Sequence, residues 1–331
     1  MKTHKTLILG RRTVEKLVDM KHAIAAIESA FAEYGRGRGL MPPKIYLDLP
    51  EFNGDFRAMP AYLPKLHKCS LKWVNAHPDN RRRHLPAVMA IIILSDPGTG
   101  LPLCIMDGTC ATNLRTGAAG AVAAKHLARR DSSTVALVGC GVQAKTQLEA
   151  LRTLFKIKRV KVWGKEKKLR EDFIRRMKRK NETLIAAENV KECVKDADII
   201  VTTTPSRGPV VRLKWLKAGV HINAIGADAQ GKQELDPNIL KKAKVVVDDW
   251  AQASHSGEIN VPVGKKMISR KDIHAELGQI VCGKRKGRTS AKEITVFDST
   301  GLAIQDVAVA DLIYRSALRH KAGRCMDIVG I

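Results

Sequence analysis

The stretch Thr134-Val-Ala-Leu-Val-Gly139-Cys-Gly141-Val-Gln-Ala144 decides the fold of this 331-residue chain. A mostly apolar strand segment runs into Gly-x-Gly-x-x-Ala, and a helical pattern follows to Leu154. Gly139 permits the tight turn, Gly141 lets the backbone approach a pyrophosphate, and Ala144 lets helix and strand pack closely. The free N–H groups and the dipole of the helix N-terminus favour phosphate. The stretch predicts a dinucleotide-binding loop, with a chance glycine turn as the alternative.

The sequence after this loop alternates between strand-like and helical segments. Apolar strand segments are separated by helical ones, among them a strongly basic helix after Trp163 and a short helix at Val190–Lys195. Such alternation predicts parallel βαβ units, and hence an α/β Rossmann domain with a doubly wound parallel sheet. The strand segments after the loop are Val160–Trp163, Leu184–Ala186, Ile199–Thr203, His221–Ile225, Val245–Val247 and Ile294–Phe297.

The sequence before the loop has a different pattern and predicts a strand-rich α+β unit. Asp19 is a candidate N-cap for a helix that runs to about Gly35, and a helix of small residues is expected over Thr116–Ala128. The final helix, Ile304–Leu318, is expected to pack on the N-terminal unit, so the predicted domains are residues 1–115 with 304–331, and 116–303. Strands are predicted at Lys44–Leu49, Phe56–Met59, Leu71–Val74 and Ala87–Leu94.

The chain is strongly basic, with 58 Lys and Arg against 33 Asp and Glu, a formal net charge of +25. Much of this charge lies between Arg152 and Lys180, where 14 basic residues accompany 3 acidic ones. Leu169, Phe173, Ile174 and Met177 share one face of a helix there. The charges are then a solvated face, or a surface that attracts nucleic acid or a phosphorylated cofactor. We do not expect nucleic acid, because no aromatic residues are interleaved to stack on bases.

Composition excludes several classes of protein. With 44% hydrophobic and 27% charged residues the chain is typical of a globular protein. The longest apolar run, Ala87–Leu94, is too short for a membrane helix, and Thr6–Leu9 is too short for a signal peptide, so we expect a cytoplasmic protein. Seven scattered Cys without C-x-x-C, and the absence of H-E-x-x-H, predict no metal site.

The end of the second strand of the predicted sheet bears on which nicotinamide cofactor is bound. An NAD site normally has Asp or Glu there for the ribose hydroxyls. This chain has Gly164 instead, followed by Lys165, Lys167 and Lys168, with Glu166 two positions late. The lysines could hold the 2′-phosphate of NADP, or Gly164 could merely open room beside solvated lysines. NAD and NADP both stay open, and the pattern favours NADP.

Five motifs spread over nearly the whole chain resemble the ornithine cyclodeaminase/μ-crystallin family. Within that family the chain resembles the dehydrogenase branch through Met41-Pro-Pro-Lys44, Phe56-Arg-Ala-Met-Pro60, Thr202-Thr-Thr-Pro-Ser206 and Gly257-Glu-Ile-Asn260. The five motifs are Leu71-Lys-Trp-Val-Asn75, Leu114-Arg-Thr-Gly-Ala-Ala119, Gly139-Cys-Gly-Val-Gln-Ala144, Ile225-Gly-Ala-Asp-Ala-Gln-Gly-Lys-Gln-Glu-Leu235 and Phe297-Asp-Ser-Thr-Gly-Leu-Ala-Ile-Gln-Asp306.

The resemblance implies a homodimer whose N-terminal unit builds the dimer interface and part of the active site, beside a Rossmann domain for NAD(P). It implies hydride transfer at an amino-acid carbon, coupled to imine formation and hydrolysis. In the dehydrogenase branch this converts L-alanine through an imine into pyruvate and ammonium, reversibly. Alternatives within the family are ornithine cyclodeamination to proline, reduction of cyclic ketimines, and binding of NADP without catalysis.

The resemblance also assigns candidate site residues. Lys72, which should face away from its strand neighbours, is the expected proton donor and acceptor, and Asp228 is a second catalytic candidate. The substrate-binding candidates are Lys44, Arg57, Arg115 and Thr300. The cofactor-binding candidates are Arg115, Thr116, Gly139, Gly141, Val142, Gln143, Gly164, Lys165, Thr202, Thr203, Ala224, Ile225, Gly226, Lys232 and Ser299.

Overall fold

The computed structural model describes residues 5–330, apart from the side chain of Arg81. The described chain forms two compact units. One holds the residues up to Arg115 together with those from Leu302 onward, and the other is Thr116–Gly301. Within the described residues, no helix is both long and apolar enough to cross a membrane.

The first unit is built on a mixed sheet with strand order β17-β1-β6-β5-β4-β3-β2. Only β1 and β6 pair in parallel; the other neighbours are antiparallel. In the described part of the chain its strands are β1 (Thr6–Leu9), β2 (Ile45–Leu49), β3 (Gly54–Leu63), β4 (Lys68–Ala76), β5 (Val88–Ser95), β6 (Pro102–Asp107) and β17 (Arg324–Met326).

One face of this sheet is covered and the other is open. Helix α11 (Ala303–Arg319) packs on β3, β4 and β5 and against α2 (Met20–Gly35), and α1 (Arg11–Leu17) contacts α11 and β6. Side chains alternate along β4, so Lys72 is buried on the covered face while Leu71 and Trp73 are exposed on the other. This confirms the predicted orientation of Lys72.

The second unit confirms the α/β Rossmann prediction. Its main sheet has the order β15-β14-β16-β12-β10-β7-β8-β9, and all of its pairings are parallel. β11 and β13 pair separately. The described strands are β7 (Thr134–Val138), β8 (Arg159–Trp163), β9 (Thr183–Ala186), β10 (Ile199–Thr202), β11 (Arg207–Val211), β12 (His221–Ala224), β13 (Gln233–Leu235), β14 (Lys244–Val247), β15 (Ile273–Glu276) and β16 (Thr295–Asp298).

Two apolar cores lie on opposite faces of the parallel sheet, because successive strand residues point to opposite sides. Leu137 and Val201 belong to one core, and Val138 and Ile200 belong to the other. The described helices of this unit are α3 (Gly108–Leu127, from Thr116 onward), α4 (Val142–Leu154), α5 (Lys167–Met177), α6 (Val190–Val194), α7 (Pro237–Lys242), α8 (Trp250–Ser256), α9 (Asn260–Gly264) and α10 (Leu277–Val281).

Two sequence-based predictions need correction, and two strands of the first unit were missed. Helix α3 begins at Gly108, not Thr116, because Asp107 accepts a hydrogen bond from the Cys110 amide at 2.8 Å and starts the helix earlier. Leu169 is 41% exposed, and Arg170 is buried in its place. Strands β1 and β6 were not predicted, since β1 has only four residues and is stabilised by pairing with β6 and β17.

Candidate functional site

The four central strands of the second unit end in one row. Parallel register aligns Val138, Thr202, Ala224 and Asp298, the last residues of β7, β10, β12 and β16. Ligands of open α/β sheets bind at this carboxyl edge, where the strand order reverses between β7 and β10. The residues that follow the strand ends are therefore brought together by the sheet itself.

Backbone hydrogen bonds hold those following residues in place. Each donates its N–H to the last residue of a neighbouring strand: Gly139 to Trp163 at 2.8 Å, Thr203 to Val138 at 2.9 Å, Ile225 to Thr202 at 3.0 Å, and Ser299 to Ala224 at 3.0 Å. The cofactor candidates Gly139, Thr203, Ile225 and Ser299 thus form a second row just beyond the first.

The loop after β7 fits a dinucleotide. Gly139 has φ +118, and a Cβ there would lie 2.3 Å from Thr203 Oγ1, so only glycine is compatible with this turn. A Cβ on Gly141 would meet nothing within 4 Å, which leaves open space at the N-terminus of α4. The buried hydroxyls Thr203 Oγ1 and Ser299 Oγ have no hydrogen-bond partner among the described residues. Buried unpaired hydroxyls beside an open glycine turn suit a polar ligand such as a dinucleotide.

The end of β8 carries two features that bear on the cofactor's ribose. A Cβ on Gly164 would lie 2.5 Å from Cys140 Sγ, so a larger residue here would require the Cys140 side chain to rotate. Arg170 is 6% exposed and donates through Nη1 to the Gly164 carbonyl at 3.0 Å. Its nearest carboxylate is that of the exposed Glu188, 3.8 Å away. Lys165 is exposed.

Two buried carboxylates hold the loops behind the second row. Glu234 accepts the Thr204 N–H at 2.6 Å, the Thr204 hydroxyl at 2.7 Å and the Gly226 N–H at 2.9 Å. Asp248 accepts the N–H groups of Thr300 and Gly301, both at 2.7 Å, and the Thr300 hydroxyl at 2.9 Å. Thr300 was predicted to bind substrate; the structure ties its hydroxyl to Asp248.

Two further carboxyl groups lie next to Glu234 in the interior. Glu258 accepts the Leu235 N–H at 2.6 Å, and Asp298 accepts the Ile259 N–H at 3.0 Å. Burial raises the pKa of Glu258 well above its usual range, and the charges of Glu234 and Asp298 add to the shift. Burial also raises the pKa of Asp298 to about 8. At neutral pH the carboxyl group of Asp298 is therefore mostly protonated.

Most of the remaining candidates of the second unit form hydrogen bonds or ion pairs within the protein. Asp228 and Lys232, four residues apart in sequence, form an ion pair in which Lys232 Nζ lies 2.5 Å from Asp228 Oδ1. The Thr116 carbonyl accepts from Gln147 Nε2 at 2.8 Å, and Gln143 Oε1 accepts from the Thr146 hydroxyl at 3.2 Å. Val142, the first residue of α4, is 58% exposed.

In the first unit, Lys72 lies in a buried charge cluster. Its Nζ lies 3.0 Å from Asp306 Oδ1 and 2.8 Å from Asp306 Oδ2. The same carboxylate lies 3.4 Å from Nε of Arg115, whose Nη1 donates to Gln305 Oε1 at 2.9 Å. Lys72, Arg115 and Asp306 are 1%, 7% and 0% exposed, so this is a desolvated cluster with two cations and one anion.

The surroundings set the pKa of Lys72. Burial is the largest cause that lowers it, the Arg115 charge is the next, and Asp306 opposes both, so the pKa is about 7 instead of 10.5. The charge of Lys44 lowers it further. An amine with this pKa exchanges a proton readily near neutral pH.

Arg57 lies on the same face of the sheet as Lys72. In the pairing of β3 with β4, Met59 lies opposite Lys72 and Arg57 lies opposite Val74. Arg57 and Met59 are two residues apart on β3, so Arg57 and Lys72 share a face of the sheet. Arg57 donates from Nε and Nη2 to the two oxygens of Asp55, at 2.7 and 3.0 Å, and its guanidinium lies 5.4 Å from the Tyr46 ring centre. The structure thus brings together Lys72 and Arg115, with Lys44 in electrostatic range and Arg57 on the shared face.

Sequence reasoning missed Asp306 and Gln305 in the first unit, and Glu234, Asp248 and Arg170 in the second. Asp306 did carry a signal, since it is an acid in the first turn of a helix otherwise lined by Ile304, Val307 and Ala308. A charged residue on an apolar helix face is buried only when it is paired. Its partner Lys72 is 234 residues away, and nothing local identifies it.

No group of three or more His, Cys, Asp or Glu residues capable of holding a metal occurs within residues 5–330.

Comparison with known proteins assigns the chain to a family. The model of the ornithine cyclodeaminase/mu-crystallin family matches residues 4–321. The alanine dehydrogenase of Archaeoglobus fulgidus is 51% identical over 321 residues, covering 96% of this chain and 97% of that protein. The chain belongs to the ornithine cyclodeaminase/mu-crystallin family.

Two solved structures share the fold over nearly the whole chain. An archaeal alanine dehydrogenase dimer with bound NAD has a TM-score of 0.94 at 50% identity, covering 98% of this chain and 99% of that one. The Δ(1)-pyrroline-2-carboxylate reductase of Thermococcus litoralis, in complex with NADH and L-proline, has a TM-score of 0.94 at 38% identity, covering 96% and 99%.

The hydrogen bonds of the buried carboxyl groups predict that two isosteric substitutions, Glu234→Gln and Asp298→Asn, change the free energy of unfolding by different amounts. Glu234→Gln should lower the free energy of unfolding by about 1–3 kcal/mol, because either orientation of the amide places its NH₂ against the Thr204 or Gly226 N–H. Asp298→Asn should be nearly neutral at pH 7. Asp298 Oδ1 has no partner among the described residues, and its carboxyl group is protonated there.

Chemical denaturation of both variants measures this difference, and titration with nicotinamide cofactors shows whether the same loops support binding. Equal losses of stability in the two variants would contradict the assignment of Glu234 as the acceptor of the Thr204 and Gly226 N–H groups.

Proposed function

We propose that this protein is an NAD(P)-dependent amino-acid dehydrogenase that converts L-alanine to pyruvate and ammonium, reversibly, through an imine. The observation that carries the proposal is the buried Lys72, held by Asp306 beside Arg115, with a pKa near 7. Lys72 supplies a proton acceptor at the working pH, and the dinucleotide loop after β7 supplies a place for the oxidant. The similarity to archaeal alanine dehydrogenase supports the choice of substrate.

The two units take different parts in this proposal. The first unit, with its buried charge cluster, is the substrate and dimerisation domain, and the second is the dinucleotide-binding domain. The candidates that surround the end of the parallel sheet would hold the cofactor, through the backbone of Gly139 and Gly141 and the hydroxyls of Thr203 and Ser299. When bound, the nicotinamide accepts a hydride from Cα of alanine and returns one in the reverse direction.

The cationic side chains bind and orient the substrate. Arg57 and Arg115 present planar guanidinium groups that match a carboxylate, and Lys44 adds a third positive charge. Asp306 neutralises one cation of the cluster and fixes the positions of Lys72 and Arg115. The excess of positive charge that remains after this pairing is what an α-carboxylate requires.

Lys72 moves the protons. In its neutral form, it accepts a proton from the substrate amine before Cα loses its hydride, which leaves iminopyruvate. Lys72 releases that proton to solvent, which is the proton of the overall balance, and in its neutral form again it takes a proton from the water that adds to the imine carbon. It returns a proton to nitrogen as the C–N bond breaks, and pyruvate and ammonium leave. In the overall reaction, alanine, NAD(P)⁺ and water are converted to pyruvate, ammonium, NAD(P)H and a proton.

The Asp228–Lys232 ion pair favours alanine over a diamino acid. In the cyclodeaminase branch of the family, the position of Asp228 serves the distal amine of the substrate. Here Lys232 supplies a positive charge to Asp228 from within the chain, at 2.5 Å. A substrate with no distal amine leaves this pair undisturbed, and alanine is such a substrate.

The end of β8 favours NADP(H) over NAD(H). No acid stands at Gly164 to accept the ribose hydroxyls or to repel a 2′-phosphate. Lys165 and the buried Arg170 put positive charge there instead. An acid at position 164 would also require Cys140 to rotate, because its Cβ would lie 2.5 Å from Cys140 Sγ.

The open face of the first unit's sheet supports a homodimer. It carries exposed apolar side chains that include Ile45, Trp73 and Ile91, which are 65%, 42% and 52% exposed. Phe56 stacks on Trp73 with ring centres 5.1 Å apart and extends this patch. Contiguous apolar patches of this kind mark interaction surfaces, and a second copy of the same chain presents a matching face.

Removing the amine of Lys72 tests the proton transfer. Lys72→Met should reduce kcat for alanine oxidation by about 10²-fold or more, as expected for loss of general acid–base catalysis. Arg115 still pairs with Asp306, so folding and cofactor affinity should survive. The matched control is Lys68→Met on the same strand, where, among the residues that the structure describes, Nζ donates to the His67 carbonyl alone.

In the parent protein, kcat at saturating alanine should rise with pH through about 7, because the proton-accepting form of Lys72 accumulates above its pKa. Lys72→Met should lose this rise. Near-normal turnover of the variant with alanine and with cyclic imines alike would remove Lys72 from the mechanism.

A conservative change tests carboxylate binding. Arg57→Lys keeps the charge but loses the planar fork, so KM for alanine and pyruvate should increase while the cofactor Kd stays the same. Steady-state kinetics and cofactor titration separate the two. A variant whose cofactor affinity falls while its substrate KM is unchanged would contradict the assigned role.

Cofactor choice is tested at Lys165. NADPH should bind about tenfold more tightly than NADH at low salt, since a charge-assisted hydrogen bond contributes roughly 1.5–3 kcal/mol. Lys165→Ala should reduce this preference, whereas Lys180→Ala, beyond the far end of α5, should not. Equal affinities in the parent, unchanged by Lys165→Ala, would mean that the basic segment is only a solvated surface.

A further inference from the structure

A basic cleft of about 660 Å³ lies at the opposite edge of the parallel sheet from the dinucleotide loop. Its walls come from the end of α3 with the turn before β7, Lys125–Asp131, and from the loop before β16, Gly287–Ala291. The two segments are in direct contact. The Arg288 N–H donates to the His126 carbonyl at 3.0 Å, and a Cβ on Gly287 would lie 2.4 Å from the same carbonyl. The volume is in the usual range for a small-molecule site.

The cations that line this cleft outnumber the acids. Arg129 is paired with Asp198 at 2.6 Å, but Asp198 also pairs with Lys217 at 2.7 Å, so one carboxylate serves two cations. Asp131 is the acid that lines the cleft, and it lies 3.4 Å from Arg129. Arg130 is exposed and has no ion pair among the described residues.

Arg288 adds a half-buried charge to the floor of the cleft, with no carboxylate partner within residues 5–330. Its guanidinium donates to the Leu127 and Glu293 carbonyls, both at 2.6 Å, and to the Thr295 hydroxyl at 3.0 Å. Glu293, the acid whose charge acts on it, is paired with Lys244 at 2.9 Å. Burial and the like charge of Arg129 both lower the pKa of Arg288 from its ordinary value. The protein thus holds like charges together at the edge of an open cavity.

We propose that this cleft is a binding site for a small oligophosphate anion such as pyrophosphate. A multivalent anion would supply the missing negative charge, and fixed guanidinium groups match phosphate oxygens in geometry. No Phe, Tyr or Trp is among the described residues that line the cleft, so bases would have nothing to stack on. The site therefore suits a compact phosphate anion better than a nucleic acid strand.

The experiment is titration of the full-length protein with pyrophosphate by calorimetry, with thermal unfolding as a second measure. Arg130→Glu should weaken pyrophosphate binding by about tenfold or more, since a cation that contacts phosphate becomes an anion. Lys265→Glu is the matched control, because it makes the same charge change at an exposed lysine that does not line the cleft. Inorganic monophosphate should bind more weakly than pyrophosphate.

Repeating the titration with saturating NADPH separates the cleft from the dinucleotide loop, and pyrophosphate affinity should be unchanged. Equal affinities in the parent and Arg130→Glu would overturn the proposal, as would equal weakening in Arg130→Glu and Lys265→Glu, or displacement of pyrophosphate by NADPH. Failure of both NADPH and NADH to bind would count against the proposed dehydrogenase function, while the comparison of the two variants would still test the cleft.

Discussion

The buried charge cluster of Lys72, Arg115 and Asp306 is the contact on which the first unit depends. Its Lys72–Asp306 ion pair joins β4 to α11 across 234 residues of sequence and is almost completely removed from solvent. Burial of two charges costs several kcal/mol per ion unless the pair is well formed and further hydrogen-bonded, and the neighbouring Arg115 and Gln305 provide that setting. The same contact seats the last helix on the sheet and fixes an amine with an unusually low pKa, so packing and chemistry are coupled.

The second unit is governed by a different constraint, the common end of its parallel strands. Aligned register brings the chain segments after β7, β10, β12 and β16 to one edge, where their amides are pinned to neighbouring strands. Short loops at such an edge leave backbone N–H groups that the sheet does not satisfy. Glu234 and Asp248 accept those groups from inside the protein, which leaves the outer side of the loops free to meet a ligand.

The high positive charge has no single explanation, because it is distributed over surfaces with different surroundings. Along α5 the lysines and arginines are mostly exposed, and two of them, Lys167 and Arg175, form i,i+4 and i,i+3 pairs, which contribute little to stability. Arg170 is the exception, since it is buried against Gly164. At the amino edge of the sheet, Arg129 and Lys217 share the carboxylate of Asp198, and Arg288 lies near Arg129 without a carboxylate partner among the described residues.

The sequence by itself determined the class of fold, the position of the dinucleotide loop and the orientation of Lys72. These follow from local rules: glycine spacing, the alternation of strands with helices, and the two-residue period of a strand. Only the tertiary structure decided that Lys72 meets Asp306, that Glu234 holds the Thr204 and Gly226 loops, that Arg170 is buried while Leu169 is exposed, and that Cys140 packs against position 164. These contacts depend on how sheet register and helix packing bring chain segments together, and a pairing of that kind has no periodic signature in the sequence.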